Sequence, residues 1–240
     1  MNYEVVGDNI KASYRAVYQQ YRRDDELEVQ TENHRHLSKI LQDVTSSFPA
    51  KTKVLEAGCG TGRYFHCLRN VEELLGLDVC EEMLHAAEHP VREEEVSVEK
   101  IQLLCKNIFL ASFPEHSFDF IYSLGMFGNG CPVTVEILER FYNWLRPGGK
   151  LFFNAVDEAT LRPAVRLRKK ARRAVYPLLP RAARRHLDAR ESLLPFFGLT
   201  RRGLEEIMQK TAFSGWKIQR HDCKSPLWKG VLLECLASKT

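Results

Sequence analysis

The residues best suited to chemistry lie in the stretch Lys53–Leu68, KVLEAGCGTGRYFHCL, where an acid and alternating glycines follow a short apolar run. Glu56 ends that run, and Gly58, Gly60 and Gly62 come soon after it. Glycine lets a backbone turn sharply and leaves no side chain between the turn and a ligand. We interpret the stretch as a buried strand, a tight turn and the start of a helix, whose first N–H groups point into a crevice. A small ligand is expected at the carboxyl end of this strand.

A second acid follows at the end of the next apolar run. Sixteen residues after Gly62, the run LLGLD ends in Asp78. An acid at the tip of the neighbouring strand is placed to accept hydrogen bonds from both hydroxyls of a ribose. The same carboxylate is suited to cap the following helix, which is predicted at Glu81–Ala87. The two roles are compatible, so a ribose-containing ligand is expected at this edge.

Four segments then follow one another in a recognisable order. They are LEAGCGTG at 55–62, GLDVCEEML at 76–84, FPEHSFDFIYS at 113–123 and LRPGGKLFF at 145–153. Together they resemble the class I S-adenosylmethionine-dependent methyltransferases, of the small-molecule type. The resemblance spans about the first two thirds of the chain. It implies an α/β, Rossmann-like fold with a seven-stranded, mostly parallel sheet, helices on both faces, and S-adenosylmethionine across the first two strand ends.

The resemblance also implies roles for residues beyond the glycine turn. An N-terminal helix in this family often covers the cofactor and offers a tyrosine to its methionine end, and Tyr21 is the candidate here. Asn107 stands where the family usually has an acid that meets the adenine amino group. Its side-chain oxygen can accept the same hydrogen bond, and Ile108 beside it would flank the purine. The full set of predicted cofactor-binding residues is Tyr21, Glu56, Gly58, Cys59, Gly60, Asp78, Val79, Met83, Asn107, Ile108 and Leu124.

Four side chains are candidate general bases, which a hydroxyl acceptor would benefit from: His34, His36, His116 and Asp157. Nothing in the sequence ranks them, so no catalytic residue is assigned. His34 and His36 lie two residues apart and cannot share one helical face, which argues against a metal pair. No metal site is predicted.

The composition indicates a globular protein. The chain has 240 residues, of which 44% are hydrophobic, enough for a substantial core. Its seven cysteines are scattered and never in C-x-x-C spacing, which favours reduced thiols and argues against zinc or a disulfide framework. No run approaches the roughly 18 apolar residues of a membrane span. The N-terminus lacks the apolar core of a signal peptide. We therefore expect a cytoplasmic location.

The charge is distributed unevenly. The net charge is +4, but Arg162–Arg190 holds eleven Lys and Arg residues against one acid and carries +10, which leaves −6 for the rest. Apolar residues recur between the arginines near helical spacing, and prolines divide the segment into short pieces. We predict a basic helical cap over the active site within the insert 157–195. Peripheral membrane contact through 162–190, an anionic substrate and nucleic acid are the alternatives for its charge.

We predict one domain, 1–240, with an N-terminal helical lid at 1–47. A helix is predicted over 9–45, with Tyr14, Tyr18 and Tyr21 on one face that either packs on the sheet or covers the cofactor. Strands are predicted at 53–57, 74–78, 100–105, 117–123, 150–155, 216–223 and 230–237, the last two as an antiparallel hairpin. Further helices are predicted at 81–87, 133–145 and 200–213, the last capped by Thr200. The loop 124–132 is expected to form a flexible, apolar wall.

We expect methyl transfer from S-adenosylmethionine to a small or medium, partly apolar organic molecule, such as a biosynthetic intermediate, by in-line displacement. The loop 124–132 lacks the D/N-P-P-Y motif of many amino-group methyltransferases, so DNA is not expected as a partner. One alternative is a lipid, quinone or RNA substrate reached through the basic insert. Others are a nicotinamide-dependent oxidoreductase, disfavoured by the G-x-G-x-G spacing, and a binding protein with a vestigial cofactor fold. The methylated atom and the oligomeric state are left open.

Overall fold

Seven strands form one sheet in the order β3-β2-β1-β4-β5-β7-β6 in the computed structural model, which describes residues 3–128, 130–160, 196–226 and 228–240. The strands are β1 Thr52–Ala57, β2 Val71–Asp78, β3 Lys100–Cys105, β4 Phe118–Phe127, β5 Leu145–Val156, β6 Gly215–Lys224 and β7 Lys229–Ser238. β1 to β5 pair in parallel, and β7 runs antiparallel to both of its neighbours. The predicted fold class, a seven-stranded and mostly parallel sheet closed by an antiparallel pair, is confirmed.

Helices pack on both faces of this sheet. Their bounds are α1 Tyr3–Arg15, α2 Tyr18–Glu28, α3 Glu32–Ser46, α4 Glu81–Ala87, α5 Val135–Trp144 and α6 Arg201–Met208. Phe120 and Ile121 are consecutive in β4 but belong to opposite apolar clusters, because side chains alternate along a strand. Leu37 of α3 joins the cluster of Phe120, whereas Phe141 of α5 and Leu204 of α6 join that of Ile121. The sheet is thus buried between two helical layers.

The N-terminal segment is helical, as predicted over 9–45, but it consists of three helices and not of one. A new helix begins after Thr31, whose hydroxyl oxygen accepts a hydrogen bond from the backbone N–H of His34 at 3.1 Å. This is an N-cap, and it separates α3 from α2. The predicted tyrosine stripe is divided as well. Tyr14 lies in α1 and Tyr21 in α2, and their rings form a T-shaped pair with centroids 5.5 Å apart.

The glycine turn is followed by a single 3-10 turn, Phe65–Cys67, where an α-helix was predicted. β2 already begins at Val71, three residues earlier than predicted, so the connection is too short for a helix. Phe65 and Leu68 have helical spacing because both are fully buried against the sheet. A 3-10 turn of this length does not provide the aligned dipole of an α-helix.

The RPGG segment, which falls between the predicted helix at 133–145 and the predicted strand at 150–155, lies inside β5. Its register against β4 shifts at this point. Gly148 has a φ of +78°, and a Cβ on Gly149 would lie 2.8 Å from the carbonyl oxygen of Arg146. Both positions therefore require glycine. Arg146 also pairs with Asp119 of β4 at 2.8 Å, so the irregular start of β5 is fixed to its neighbour.

Two further boundaries differ from the prediction. β4 continues to Phe127, so the first part of the predicted loop 124–132 is strand. α6 ends at Met208, short of the predicted 213. Its predicted N-cap is confirmed, because the Thr200 hydroxyl accepts a hydrogen bond from the N–H of Gly203 at 3.0 Å.

The predicted helical cap falls almost entirely outside the described residues, which omit 161–195. At the start of the insert, Glu158–Thr160 form a 3-10 turn. In the described part of the chain, no helix has the length and hydropathy needed to cross a membrane.

Candidate cofactor and acceptor site

A cavity of about 390 Å³ lies at the carboxyl ends of β1, β2, β4 and β5. Residues of α1 and α2 also line it, so the two helices form its opposite wall. This volume suits a small organic ligand. All eleven predicted cofactor-binding residues line the cavity. The chain therefore brings them together, while their role in binding stays a prediction.

The backbone of the glycine turn is bound to β2. The N–H groups of Gly58 and Cys59 donate to the carbonyl oxygen of Leu77 at 2.7 and 3.0 Å. The N–H of Gly60 donates to Asp78 Oδ2 at 2.9 Å. These three amides are occupied within the protein and do not point at a ligand. No heavy atom lies within 4 Å of where a Cβ on Gly60 would stand, so the turn is open at that glycine.

Asp78 holds two neighbouring backbone segments in place, the glycine turn and the start of α4. One carboxylate oxygen holds Gly60, and the other accepts a hydrogen bond from the N–H of Cys80 at 3.0 Å. Cys80 is the N-cap residue of α4, so Asp78 supports this helix start without being its cap. Burial raises the pKa of Asp78, and the backbone hydrogen bonds oppose that rise. Each carboxylate oxygen keeps a further lone pair, which leaves capacity for a ribose diol.

Glu56, at the end of β1, is only 1% exposed. The hydroxyl of Tyr122 donates to its Oε2 at 2.6 Å. Burial raises the pKa of Glu56 to about 8, although the tyrosine hydrogen bond lowers it in part. A carboxyl group with this pKa is mostly protonated at neutral pH and ionises when a cation comes near. Glu56 is thus a mostly neutral acid in the wall of the cavity, which a ligand cation would ionise.

α1 closes the cavity beside Asn107. A Cβ on Gly7 would lie 2.3 Å from the Asn107 amide nitrogen, so only glycine allows this approach. Asn107 Nδ2 donates to the carbonyl oxygen of Tyr3 at 2.7 Å, and its Oδ1 accepts from the N–H of Phe109 at 3.0 Å. The predicted hydrogen bond from an adenine amino group would use the second lone pair of Oδ1.

Asp25 of α2 is a fully buried acid that the sequence analysis missed. Its carboxylate accepts hydrogen bonds from the Thr61 hydroxyl and the Arg63 guanidinium, so α2 is tied to the glycine turn. Thr61 and Arg63 both line the cavity. Their place in the turn was visible in the sequence, but their partner lies 36 residues from Thr61. A pairing over that distance leaves no signal in a single sequence.

Glu28 attaches the other end of α2 to the loop between β6 and β7. Its carboxylate accepts hydrogen bonds from the Ser225 hydroxyl and, at 2.9 Å, from Asn33 Nδ2. All three residues line the cavity, and Glu28 is 4% exposed. α2 is therefore attached to the rest of the protein at two buried points.

The four candidate bases do not line the cavity. His34 is buried in the core, and burial lowers its pKa to about 3. His36 faces elsewhere and pairs with Glu234 at 2.9 Å, which agrees with the prediction that the two histidines cannot share a face. His116 is exposed, in a loop, with a φ of +60°. Asp157 is buried and engaged in an ion pair. Their positions give none of the four access to an acceptor in the cavity.

The described lining of the cavity is acidic. Carboxyl groups outnumber cationic groups by four to two: Asp24, Glu28, Glu56 and Asp78 against Arg63 and Lys106. Glu56 holds a proton in most free molecules at neutral pH, and the other three acids still outnumber the two cations. An excess of acid in a concave site favours a cationic ligand.

One end of the cavity is apolar. The residues that line it there are Val156, Trp228 and Leu232, where β5 meets the β6–β7 hairpin. Val156 and Leu232 are buried, and Trp228 packs against them. A ligand group bound there would lose contact with water and gain apolar contacts.

The sheet order and the site at its carboxyl edge define a class I, Rossmann-like methyltransferase fold. Residues 54–149 match the family model of the methyltransferase domain. The predicted family is therefore confirmed for the part of the chain that holds the glycine turn and Asp78.

Two solved structures share this fold. One is the magnesium protoporphyrin IX methyltransferase of Synechocystis PCC 6803 with bound S-adenosylmethionine, at a TM-score of 0.63 and 12% identity, over 98% of this chain and 97% of that one. The other is the N-methyltransferase NodS of Bradyrhizobium japonicum WM9 with S-adenosylhomocysteine, at a TM-score of 0.61 and 16% identity, over 94% and 97% of the two chains.

Curated relatives resemble only part of the chain. A demethylmenaquinone methyltransferase of Listeria welshimeri is 30% identical over 106 residues, which are 42% of this chain and 43% of the relative. Its counterpart in Bacillus cytotoxicus is 26% identical over 114 residues, 46% and 47% of the two chains. The matched region spans about half the length of these relatives. At the level of the family, the comparisons agree with the predicted enzyme class and cofactor.

Proposed function

We propose that the protein transfers a methyl group from S-adenosylmethionine to a small or medium, partly apolar organic molecule. The observation that carries this proposal is the glycine turn, whose amides at Gly58, Cys59 and Gly60 are all bound to β2. A dinucleotide needs free amides and a helix N-terminus for its phosphates. Here the amides are occupied and a 3-10 turn follows, so the site supports a nucleoside without phosphates.

The charge of the cavity supports the same cofactor. S-adenosylmethionine carries a positive sulfur, an ammonium group and one carboxylate, so it is cationic overall, and the described lining has more carboxyl groups than cationic groups. Asp78 would hold the ribose hydroxyls, Glu56 the ammonium group, and Asn107 and Ile108 the adenine. The open side of Gly60 leaves room for the ligand to lie against the backbone. Tyr21 of the lid would cover the methionine end.

The chain's own residues position the acceptor and exclude water. When bound, S-adenosylmethionine would supply an activated methyl group for in-line transfer to the acceptor's lone pair, with S-adenosylhomocysteine as the leaving group. Orientation of the reactants is then the main contribution of the protein. Trp228, Met126 and Leu232 would bind the apolar part of the acceptor, and α1 and α2 would close the cavity above it. No base is assigned, since an acceptor with a free lone pair does not require one.

The test has two steps. Calorimetry should show binding of S-adenosylmethionine and no binding of NAD⁺ at the same concentrations. Methyl transfer from labelled S-adenosylmethionine is then followed by mass spectrometry over a panel of a demethylated quinone, a porphyrin carboxylate, aliphatic amines and RNA. Tighter binding of NAD⁺, or methylation of RNA with no small molecule accepted, would contradict the proposal.

The apolar end of the cavity is tested separately once an acceptor is found. Trp228→Ala should raise the Michaelis constant for the acceptor about 10-fold, because one large apolar contact contributes roughly 1–3 kcal/mol. The dissociation constant of S-adenosylmethionine should not change. Trp216→Ala is the matched control, because Trp216 packs on the other core cluster and does not line the cavity. An equal loss in both variants would show a general effect on folding.

A second candidate substrate class is a lipid or quinone met at a membrane surface. It is favoured by the name of the curated relatives and by the +10 charge of 162–190. Anionic vesicles attract such a segment.

A further inference from the structure

Three side chains of metal-binding type converge under the glycine turn, outside the cavity: His34 of α3, and His66 and Cys67 of the 3-10 turn. All are buried, with exposures of 2%, 4% and 0%. The proposed methyl transfer uses none of them. Neither Nδ1 atom has a hydrogen-bond partner among the described residues. Each ring makes its side-chain hydrogen bonds through Nε2, which faces the other ring and Cys67 Sγ.

The distances between the three ligand atoms form a compact triangle. Nε2 of His34 and Nε2 of His66 are 3.2 Å apart, and Cys67 Sγ lies 3.7 Å from the first and 3.5 Å from the second. Zinc bonds of about 2.0–2.1 Å to nitrogen and 2.3 Å to sulfur, at tetrahedral angles, predict about 3.3–3.4 Å between nitrogens and about 3.5–3.6 Å between nitrogen and sulfur. The observed triangle agrees with both values within about 0.2 Å.

We propose that His34, His66 and Cys67 bind a Zn²⁺ ion through both Nε2 atoms and the Cys67 thiolate. Imidazole and thiolate are the ligands that Zn²⁺ prefers. The Cys67 thiol gives up its proton to solvent when the ion binds. Ser38 Oγ lies 3.0 Å from Cys67 Sγ and can donate a hydrogen bond that supports the thiolate. A water molecule or the Ser38 hydroxyl completes the tetrahedral set.

In the sequence, the cysteines lack the C-x-x-C spacing typical of zinc sites, and His34 and His36 cannot share a helical face to form a metal pair. The fold supplies a different partner, since His34 meets His66 from 32 residues away. The ion would join α3 to the segment that follows the glycine turn. Tyr64 lies between this site and the cavity: its ring stacks on His34 at 5.1 Å, and it lines the cavity. The ion is therefore placed to stiffen one wall of the cofactor site.

Measurements on the unmodified full chain decide the proposal first. After removal of metals, one equivalent of Co²⁺ should produce a thiolate-to-cobalt charge-transfer band in the near ultraviolet. One equivalent of Zn²⁺ should remain after dialysis and raise the melting temperature. X-ray absorption at the zinc edge should show one sulfur and two imidazole nitrogens. These readouts do not depend on methyl transfer or on any variant.

Variants then locate the site. Cys67→Ser should abolish the charge-transfer band, and His66→Ala should weaken Zn²⁺ binding at least 10-fold. Cys235→Ala is the cysteine control, because Cys235 is buried in β7 and outside the cluster. His36→Ala tests the trio of His36, His221 and Glu234, which also has ligand-type atoms close together. Both controls should keep the band and the stoichiometry.

Two results would overturn the proposal. If the folded, unmodified chain gives no thiolate band with Co²⁺ and loses Zn²⁺ on dialysis, the three residues are a hydrogen-bonded part of the core. If the band persists in Cys67→Ser or disappears in His36→Ala, a metal binds elsewhere.

Discussion

Glu56 should couple cofactor binding to pH. Burial raises its pKa to about 8 in the free protein, so at pH 7 most Glu56 carboxyl groups hold a proton. A ligand ammonium beside the group lowers that pKa, so binding releases a proton. Release of a proton is favoured as pH rises. The affinity for S-adenosylhomocysteine should therefore increase toward pH 8 and level off above it. Calorimetry at pH 7 in two buffers of different ionisation enthalpy measures the released proton.

Glu56→Gln is the matched variant, since it keeps the size of the side chain and removes the titrating group. Its binding enthalpy should no longer depend on the buffer, and its affinity should vary less with pH. The same buffer dependence in the variant would mean that another group releases the proton.

Asp78, at the end of β2, should contribute strongly to the affinity for S-adenosylmethionine. Asp78→Ala removes the acceptor for the ribose diol, at a cost of roughly 1–3 kcal/mol, which is about 5- to 150-fold in the dissociation constant of S-adenosylmethionine. The change also frees the N–H groups of Gly60 and Cys80, so the melting temperature must be recorded beside the titration. An unchanged dissociation constant would show that the ribose lies elsewhere.

At the level of single residues, the sequence predicted those cavity-lining residues that lie close to a motif in the chain. Gly58 and Gly60 follow a strand directly, and Asp78 ends the next one. Asp25 and Glu28 were missed because their partners, in the glycine turn and near β7, are far away in sequence. Long-range hydrogen bonds of this kind are a property of packing.

At the level of elements, α2 is held by a buried ion pair. Arg63 is the ionic partner of Asp25, whose carboxylate is fully buried. Removing a cation from a buried pair leaves an uncompensated charge, at a cost of about 3–5 kcal/mol when the structure stays closed. In Arg63→Met, α2 should open instead, so its backbone amides should exchange hydrogen faster and S-adenosylmethionine should bind more weakly.

The control for that variant lies on the same helix. Arg22 pairs with Glu26 at the surface at 3.2 Å, and such pairs contribute little. Arg22→Met should leave hydrogen exchange and cofactor affinity unchanged. If exchange in α2 is equally slow in both variants, the contact with Asp25 does not hold the lid.

The elements themselves were predictable to different degrees. The strands were found because each is a short apolar run, and their ends moved by only a few residues. The prediction of a helix after the glycine turn was wrong because the helical spacing of Phe65 and Leu68 has another cause. Both residues fill the core beside a short connection. The N-terminal segment was assigned as one helix because the Thr31 N-cap lies inside a continuous polar and apolar pattern.

On the scale of the whole molecule, charge is divided between two regions. The segment 162–190 carries +10, and the rest of the chain carries −6. The described cavity lining is acidic, which matches a cationic cofactor and does not favour an anionic acceptor. If the acceptor or a docking surface is anionic, the attraction has to come from the basic segment 162–190 and not from the cavity lining.

This division predicts how the basic segment affects turnover. Replacing Arg168, Lys169, Lys170, Arg172 and Arg173 with Gln removes five positive charges. For an anionic acceptor, the Michaelis constant should rise and become less sensitive to salt, because steering by exposed charges is screened by ions. The dissociation constant of S-adenosylmethionine should hardly change. The measurement compares Michaelis constants at low and high ionic strength.

The control removes charge from another surface. Arg201→Gln with Arg202→Gln removes two exposed cations from α6, where each forms a surface pair with a glutamate four residues later. These changes should leave the Michaelis constant and its salt dependence unchanged. Sedimentation with anionic vesicles separates the two sources of negative charge. If the five Gln substitutions abolish vesicle binding while turnover of a soluble acceptor persists, the segment serves a membrane surface and the predicted cap over the active site is wrong.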